Sequence, residues 1–389
     1  MAAIKYWVWL SALGISTRAK AALVRHYQDA EQAYFASDAE YKKLSALTAN
    51  DIRILEKRDI SVADAILAEC QRLGIELITL QDADYPARLR NISDPPVVLY
   101  VKGKMPDVDN VPAIAVIGTR QPSAYGIKMA RKLSYETAKS GGTVISMLSE
   151  GIDRECAKAA LMAGGQCIGV LGTAHDKQPQ LYRDIAQRGA LISEYPPGRE
   201  SRKHFFRERN RIASGLCHGV VVVEAPEKSG TLIFAAQALE QGREVFAVPG
   251  NADAPNSIGT IELIKQGAKP VTCAWDVLEE FEYLFPGKLH KLTEPVHVPE
   301  TEAQETTIKD IDKPKSPVYI DLRGQLKELS AEQLQIISAI EGKDTHIDDL
   351  IERTGLSTAK VLAQLTILEI KGYVRRSTGR RISLNIKSK

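Results

Sequence analysis

Five apolar residues run without a break from Ala113 to Ile117 and stop at Gly118-Thr119-Arg120. A short apolar run bounded by glycine predicts a strand buried on both faces, as in a parallel sheet. Turn residues follow from Gln121 to Gly126, and a helical period begins near Ile127 and runs to about residue 139. The same alternation then repeats. Apolar runs at 113–117, 143–147, 166–171, 190–193, 219–224 and 244–248 predict strands. Helical periods at 127–139, 153–163, 180–188, 205–214, 230–241 and about 257–267 lie between and after them. Strands alternating with helices imply an α/β, Rossmann-like, mostly parallel doubly wound sheet. Ligands of such sheets sit beyond the carboxyl ends of the strands, where Arg120 is placed to meet an anion or a surface ion-pair partner.

The flanks read differently. Residues 1–75 carry a broken helical period and form an all-α module. Gly14-Ile15-Ser16-Thr17 places Ser16 or Thr17 at an N-cap between two short helices. Such a turn is similar to a helix-hairpin-helix, whose amides touch phosphate; a helical packing module, SAM-like, is the preferred reading. Residues 75–80 and 97–103, the latter behind Pro95-Pro96, predict strands that lead into the sheet, so the α/β domain is drawn over 76–285. Residues 286–325 are rich in Pro, Glu, Thr and Lys and poor in large apolar groups, which predicts a flexible linker. Over 326–389, helical periods at 330–341, 346–353 and 357–371 surround Thr354-Gly355-Leu356-Ser357. That is the helix-turn-helix layout, and Tyr373 to Leu384 reads as a β-hairpin wing with Arg375, Arg376, Arg380 and Arg381. A DNA-binding winged helix and a protein-interaction module both fit.

Composition narrows the function classes. Apolar residues make up 44% and charged residues 26% of 389, the profile of a soluble globular protein. No run of 18 apolar residues occurs and the first residues lack a secretory pattern, so no membrane association is expected. Five scattered cysteines without a C-x-x-C pair suit a reducing cytoplasm and no structural zinc. The net charge of +2 does not announce a nucleic-acid ligand, so any such function rests on a local patch.

One patch stands out. Residues 199–211 (RESRKHFFRERNR) hold six basic groups against two acidic ones, with Phe205 and Phe206 among them. Cations that follow a backbone and aromatic faces that stack on bases make a surface for single-stranded nucleic acid. Adjacent residues cannot share one helix face, so one phenylalanine belongs to the core and the other lies near the surface. Ser229-Gly230-Thr231 at the start of a helix offers unpaired amides to an anion. Asp153 is placed to cap the helix after 143–147. No G-x-G-x-x-G follows the first strand, no P-loop or G-x-S-x-G occurs, and His175, His204 and His218 are isolated and read as structural. No metal, cofactor or catalytic set is expected, and the chain reads as a non-enzyme.

These segments, in order, resemble the DNA-processing protein A family (DprA, also called Smf). The resemblance is carried by Val116 to Arg120, Tyr125-Gly126, Gly151-Ile152-Asp153, Val170 to Thr173, Ile192 to Pro196, Phe206 to Ile212, Val223-Glu224-Ala225, Ser229 to Leu232, Ala247 to Gly250 and Leu263 to Ala268. It covers about residues 85–283, and a winged-helix tail after a linker is similar to many members.

The resemblance implies a single-stranded DNA-binding protein that protects incoming DNA and loads the RecA recombinase in natural transformation and homologous recombination. It implies a homodimer through the α/β domain and DNA in a basic pocket. The DNA-binding residues it assigns are Gly118, Thr119, Arg120, Arg209, Asn210, Arg211, Ser229, Gly230 and Thr231, with Lys177 standing in for a basic residue usual near Gln180; the basic-aromatic segment adds Lys203 and Phe206. Ser146 to Ser149, Cys156-Ala157 and Gln178-Pro179 depart from the family pattern, so the far wall of the pocket is expected to differ. Two other readings stay open. Glu224 before Ser229-Gly230-Thr231 is similar to the site of phosphoribohydrolase-like nucleotide enzymes, though the Gly-Gly of that pattern is missing. A transcription regulator would work through the winged helix.

Overall fold

The computed structural model describes residues 4–177, 179–294, 329–340, 345–370, 373–377 and 381–384. It divides into two compact units, residues 1–300 and 301–389.

The first unit is built on a nine-stranded sheet. Its strands are β1 (Glu76–Thr79), β2 (Val98–Gly103), β3 (Ala113–Ile117), β4 (Thr143–Ser146), β5 (Cys167–Val170), β6 (Ala190–Ser193), β7 (Gly219–Val222), β8 (Glu244–Ala247) and β9 (Lys269–Pro270). They lie in the order β1-β2-β6-β5-β4-β3-β7-β8-β9. Pairing is parallel from β6 through to β9 and antiparallel at β1–β2 and β2–β6. The lead-in strands therefore form an antiparallel edge, and β9, two residues long, closes the other edge. All five β3 residues are buried. Ala113, Ala115 and Ile117 face one core with Phe234, Ala235 and Ile212. Ile114 and Val116 face another with Met129, Leu133 and Phe281. Burial on both faces is why this strand reads as continuously apolar.

Among the described residues eighteen α-helices are formed. In the N-terminal part they are α1 (Ile4–Ala12), α2 (Thr17–Tyr27), α3 (Ala30–Phe35), α4 (Asp38–Tyr41), α5 (Ala49–Glu56) and α6 (Ser61–Leu73). Ser16 caps α2 by accepting from the Ala19 amide at 3.1 Å. These helices share one core with Val98 and Tyr100 of β2, so they cover the antiparallel edge of the sheet. Around the sheet lie α7 (Ala87–Arg90), α8 (Ala124–Lys139), α9 (Ile152–Met162), α10 (Gln180–Arg188), α11 (Phe205–Glu208), α12 (Asn210–Leu216), α13 (Gly230–Glu240), α14 (Ile258–Lys265) and α15 (Trp275–Leu278). The helix expected over 205–214 is broken into α11 and α12 at Arg209.

His218 is buried, with Nδ1 accepting from the Ala113 amide at 3.1 Å and rings of Phe281 and Phe285 against it. Burial holds it neutral, with its pKa lowered to about 3. His175 is buried against the Tyr100 carbonyl at 2.8 Å. Both suit the structural role expected of them.

The second unit holds α16 (Ala331–Ala339), β10 (Thr345–His346), α17 (Ile347–Thr354), α18 (Thr358–Ile370), β11 (Val374–Ser377) and β12 (Arg381–Leu384). Its strands pair in the order β10-β12-β11, and a core of Ile336, Leu350, Val361, Leu365 and Ile382 joins helices to wing. Gly355 ends α17 with φ 63°, the left-handed turn that glycine adopts without strain. Of the expected linker, residues from 295 onward lie outside the described residues, as do Gln178 and Arg380.

Candidate nucleic-acid interface

The strand order runs away from β3 in both directions, to β4 on one side and β7 on the other. A crevice opens where such an order reverses. Loops after β3, β4, β5 and β7 converge there on an open cleft of about 980 Å³. Gly118, Thr119 and Arg120 enter from β3, Met147 to Glu150 and Asp153 from β4, Leu171 to Thr173 from β5, and Pro226 with Lys228 to Thr231 from β7. Lys203, Phe206, Arg207, Arg209 and Asn210 close the remaining side.

The Gly-Thr-Arg loop is held by its neighbours. The Thr119 amide donates to the Glu224 carbonyl at 2.9 Å, and the Ile152 amide donates to the Thr119 carbonyl at 3.2 Å. The Glu224 carboxylate is buried; it accepts from the Ser123 amide at 2.9 Å, from the Ser123 hydroxyl, and from Asn256 Nδ2 at 3.3 Å. A Cβ on Gly126 would lie 2.4 Å from that carboxylate, so glycine there lets α8 start directly on Glu224. Gly151 has φ 83° and packs against Thr119 and Arg120, completing the clasp.

Arg120 is exposed on this clasp and makes no hydrogen bond or ion pair among the described residues. The side chains of Lys177, Lys203, Arg207 and Lys228, all exposed on the cleft wall, likewise have no hydrogen bond or ion pair among the described residues. On the acidic side, Glu150 is engaged by Arg154 at 2.7 Å, and Asp153 is buried. The wall therefore carries positive charge that the protein does not neutralise. The N-terminus of α13 also lines the cleft. Ser229 caps α13, its hydroxyl accepting from the Thr231 amide at 3.1 Å. Helix N-termini present free amides and positive dipole ends to an anion.

The floor is a buried pair. Arg209 is 3% exposed; its Nη1 donates to the carbonyls of Met147 at 2.6 Å and Val170 at 2.9 Å, bracing the loops after β4 and β5. Burial lowers its pKa to about 10, against the pull of Asp153. Burial raises the Asp153 carboxyl to about 6, opposed by Arg209 and by hydrogen bonds from Ser149 and the Gly118 amide. Asp153 thus holds the loop before α9, whereas the N-cap position itself is Gly151. Phe206 is 40% exposed on the cleft, with the Arg209 guanidinium 5.9 Å from its ring centre. Phe205 is buried and stacks on Tyr195 at 3.9 Å.

Of the residues expected to bind DNA, Gly118, Thr119, Arg120, Lys177, Lys203, Phe206, Arg209, Asn210, Ser229, Gly230 and Thr231 come together in this cleft. Arg211 does not. It is buried elsewhere, with Nη2 donating to both Glu194 oxygens at 2.6 Å and Nε 3.1 Å from Asp94. A surface cation in the sequence is here the centre of an internal ion pair. Nothing in the sequence sets Arg207 and Lys228 apart as site residues, although Arg207 adjoins Phe206 and Lys228 adjoins Ser229. Of the expected departures, Met147, Leu148 and Ser149 line the cleft, whereas Cys156 and Ala157 are buried in the core.

A basic crevice at the switch point of a doubly wound sheet, joined in sequence to a winged helix, defines a class of two-unit protein. The model of the DNA recombination-mediator protein A family matches residues 76–282, and that of the DprA winged helix domain matches residues 323–380. The chain is 31% identical to Protein Smf of Escherichia coli over 380 residues, covering 96% of this chain and 94% of that one. It is 43% identical to the DNA processing protein DprA of Bacillus subtilis over 235 residues, 59% of this chain and 78% of that one. An X-ray structure of DprA from Streptococcus pneumoniae superposes with a TM-score of 0.62 at 33% identity, covering 71% of this chain and 96% of that one. The chain belongs to the DprA/Smf family.

Proposed function

We propose that the protein binds single-stranded DNA in the cleft between β3 and β7 and hands it to a RecA-type recombinase. The observation that carries the reading is the set of unneutralised cations around Arg120, set beside an exposed Phe206. Arg120 clamps one phosphate, the α13 amides take a neighbouring one, and Phe206 offers a ring face to a base. The recombinase step rests on family membership, since the matching model is that of a recombination mediator.

Homodimerisation through the α/β domain belongs to the same proposal. Its support is the apolar surface of α13 and α14, where Ile233, Leu239 and Ile258 are 60%, 55% and 43% exposed. The reading is non-catalytic. A phosphoribohydrolase would need Glu224 in contact with substrate, and that carboxylate is committed to Ser123 and Asn256 away from the cleft wall. In the winged helix, Lys360 of α18 is engaged by Glu332 at 3.0 Å, which leaves that helix little charge for a phosphate backbone.

Arg120→Ala tests the cleft. Binding of labelled oligo-dT is expected to weaken roughly tenfold or more, because a charge-assisted contact is lost. The slope of log affinity against log salt should become shallower by about 0.7, the share of one phosphate on a single strand. Unchanged affinity and slope would remove Arg120 from the site.

A further inference from the structure

We infer that a second, separate pocket, between the N-terminal helices and the basic segment 199–208, holds another phosphate of the same DNA strand. The inference rests on the cleft reading above and extends it. The pocket has a volume of about 230 Å³, ample for a phosphate group. One wall is the Gly14 to Thr17 turn and the N-terminus of α2; the other carries Arg199, Arg202 and His204. Ser16 takes the Ala19 amide, which leaves the Thr17 and Arg18 amides at the start of α2 without a partner in the helix, an arrangement that favours an anion.

A buried cation lies in this pocket. Lys20 is 8% exposed, and its Nζ donates to the Ser11 carbonyl at 2.5 Å, one bond for a group with three donors. Burial lowers its pKa to about 8, so an anion beside it would restore what desolvation removes. Two carboxylates also line the pocket, and both are engaged. Glu194 takes both its bonds from Arg211, and Glu208 accepts from the Tyr195 hydroxyl at 2.7 Å. Arg199 and Arg202 make no ion pair among the described residues. Of the lining carboxylates Glu194 is neutralised by Arg211, and Lys20, Arg199 and Arg202 outnumber Glu208, so the small polar space keeps a positive balance.

The segment from Arg199 to Asn210 has two faces. Lys203, Phe206 and Arg207 look into the large cleft, and Arg199, Arg202 and His204 look into the small pocket. A strand leaving the cleft over this ridge would pass from one set of cations to the other.

The test compares a short oligo-dT of about six nucleotides with one several times longer, on the full chain, with fluorescence anisotropy across a salt series. The variants are Arg199→Ala/Arg202→Ala on the surface and Lys20→Met inside, with Arg120→Ala as the cleft control. The double variant is expected to weaken the long strand about tenfold and to flatten its salt slope, while the short strand binds as before. Lys20→Met should act in the same direction; the double variant, being at the surface, keeps the test valid if Lys20→Met fails to fold. Equal weakening of both lengths would assign Arg199 and Arg202 to the cleft and overturn the second pocket. No change for either length, with Arg120→Ala still harmful, would overturn it as well. No effect of Arg120→Ala on either length would instead break the cleft reading.

Discussion

Arg211→Leu is expected to destabilise the protein by about 3–5 kcal/mol, read as a lower midpoint in urea unfolding. The guanidinium is 3% exposed and holds Glu194, itself 6% exposed, through two 2.6 Å bonds. Burial works against its charge, and Glu194 with Asp94 outweigh that, so its pKa is raised. Leucine would leave Glu194 buried without its counter-charge, which is the costly way to break such a pair. Asp94 also accepts from the Thr17 hydroxyl at 3.0 Å, so the loss reaches the docking of the N-terminal helices. A double variant, Arg211→Leu with Glu194→Leu, should recover part of the loss. Wild-type stability in Arg211→Leu would show that the pair contributes nothing.

The second large effect is at Gly151. Its φ of 83° lies where L residues are strained, at a cost of about 1–3 kcal/mol. A Cβ there would also sit 2.5 Å from the Thr119 carbonyl and 2.8 Å from the Arg120 backbone. Neither contact is with a flexible side-chain end, so the Gly-Thr-Arg loop must move. Gly151→Ala is expected to reduce stability by about 2–4 kcal/mol and to lower oligo-dT affinity at least as much as Arg120→Ala. Retained affinity in a folded variant would mean that the clasp does not position Arg120.

Much of this architecture is legible in the sequence, for a physical reason. Strands buried on both faces, such as Ala113 to Ile117, read as unbroken apolar runs, and the turns after them carry the residues of the cleft. The edges read less well. Two residues, Lys269 and Pro270, have no periodicity, and β1 and β2 give no sign that they pair antiparallel. The basic segment 199–211 reveals even less of its fold. Charge in a sequence looks like surface, yet Arg209 and Arg211 are both buried. Their acceptors, the carbonyls of Met147 and Val170 and the carboxylates of Asp94 and Glu194, are distant along the chain and meet only in the fold. Lys20 is hidden in the same way, since a lysine on an amphipathic helix gives no sign of burial. The opposite holds for Phe205 and Phe206. Adjacency alone requires different faces, and one stacks on Tyr195 while the other borders the cleft.

The central claim is that the α/β cleft, not the winged helix, holds a single strand through its phosphates. The direct measurement is equilibrium binding of labelled oligo-dT and of a matched duplex across a salt series, for the full chain and for residues 1–300. The cleft account predicts that residues 1–300 keep steep, salt-sensitive binding of the single strand and prefer it to duplex. Binding of duplex alone, lost when residues 301–389 are removed, would contradict it.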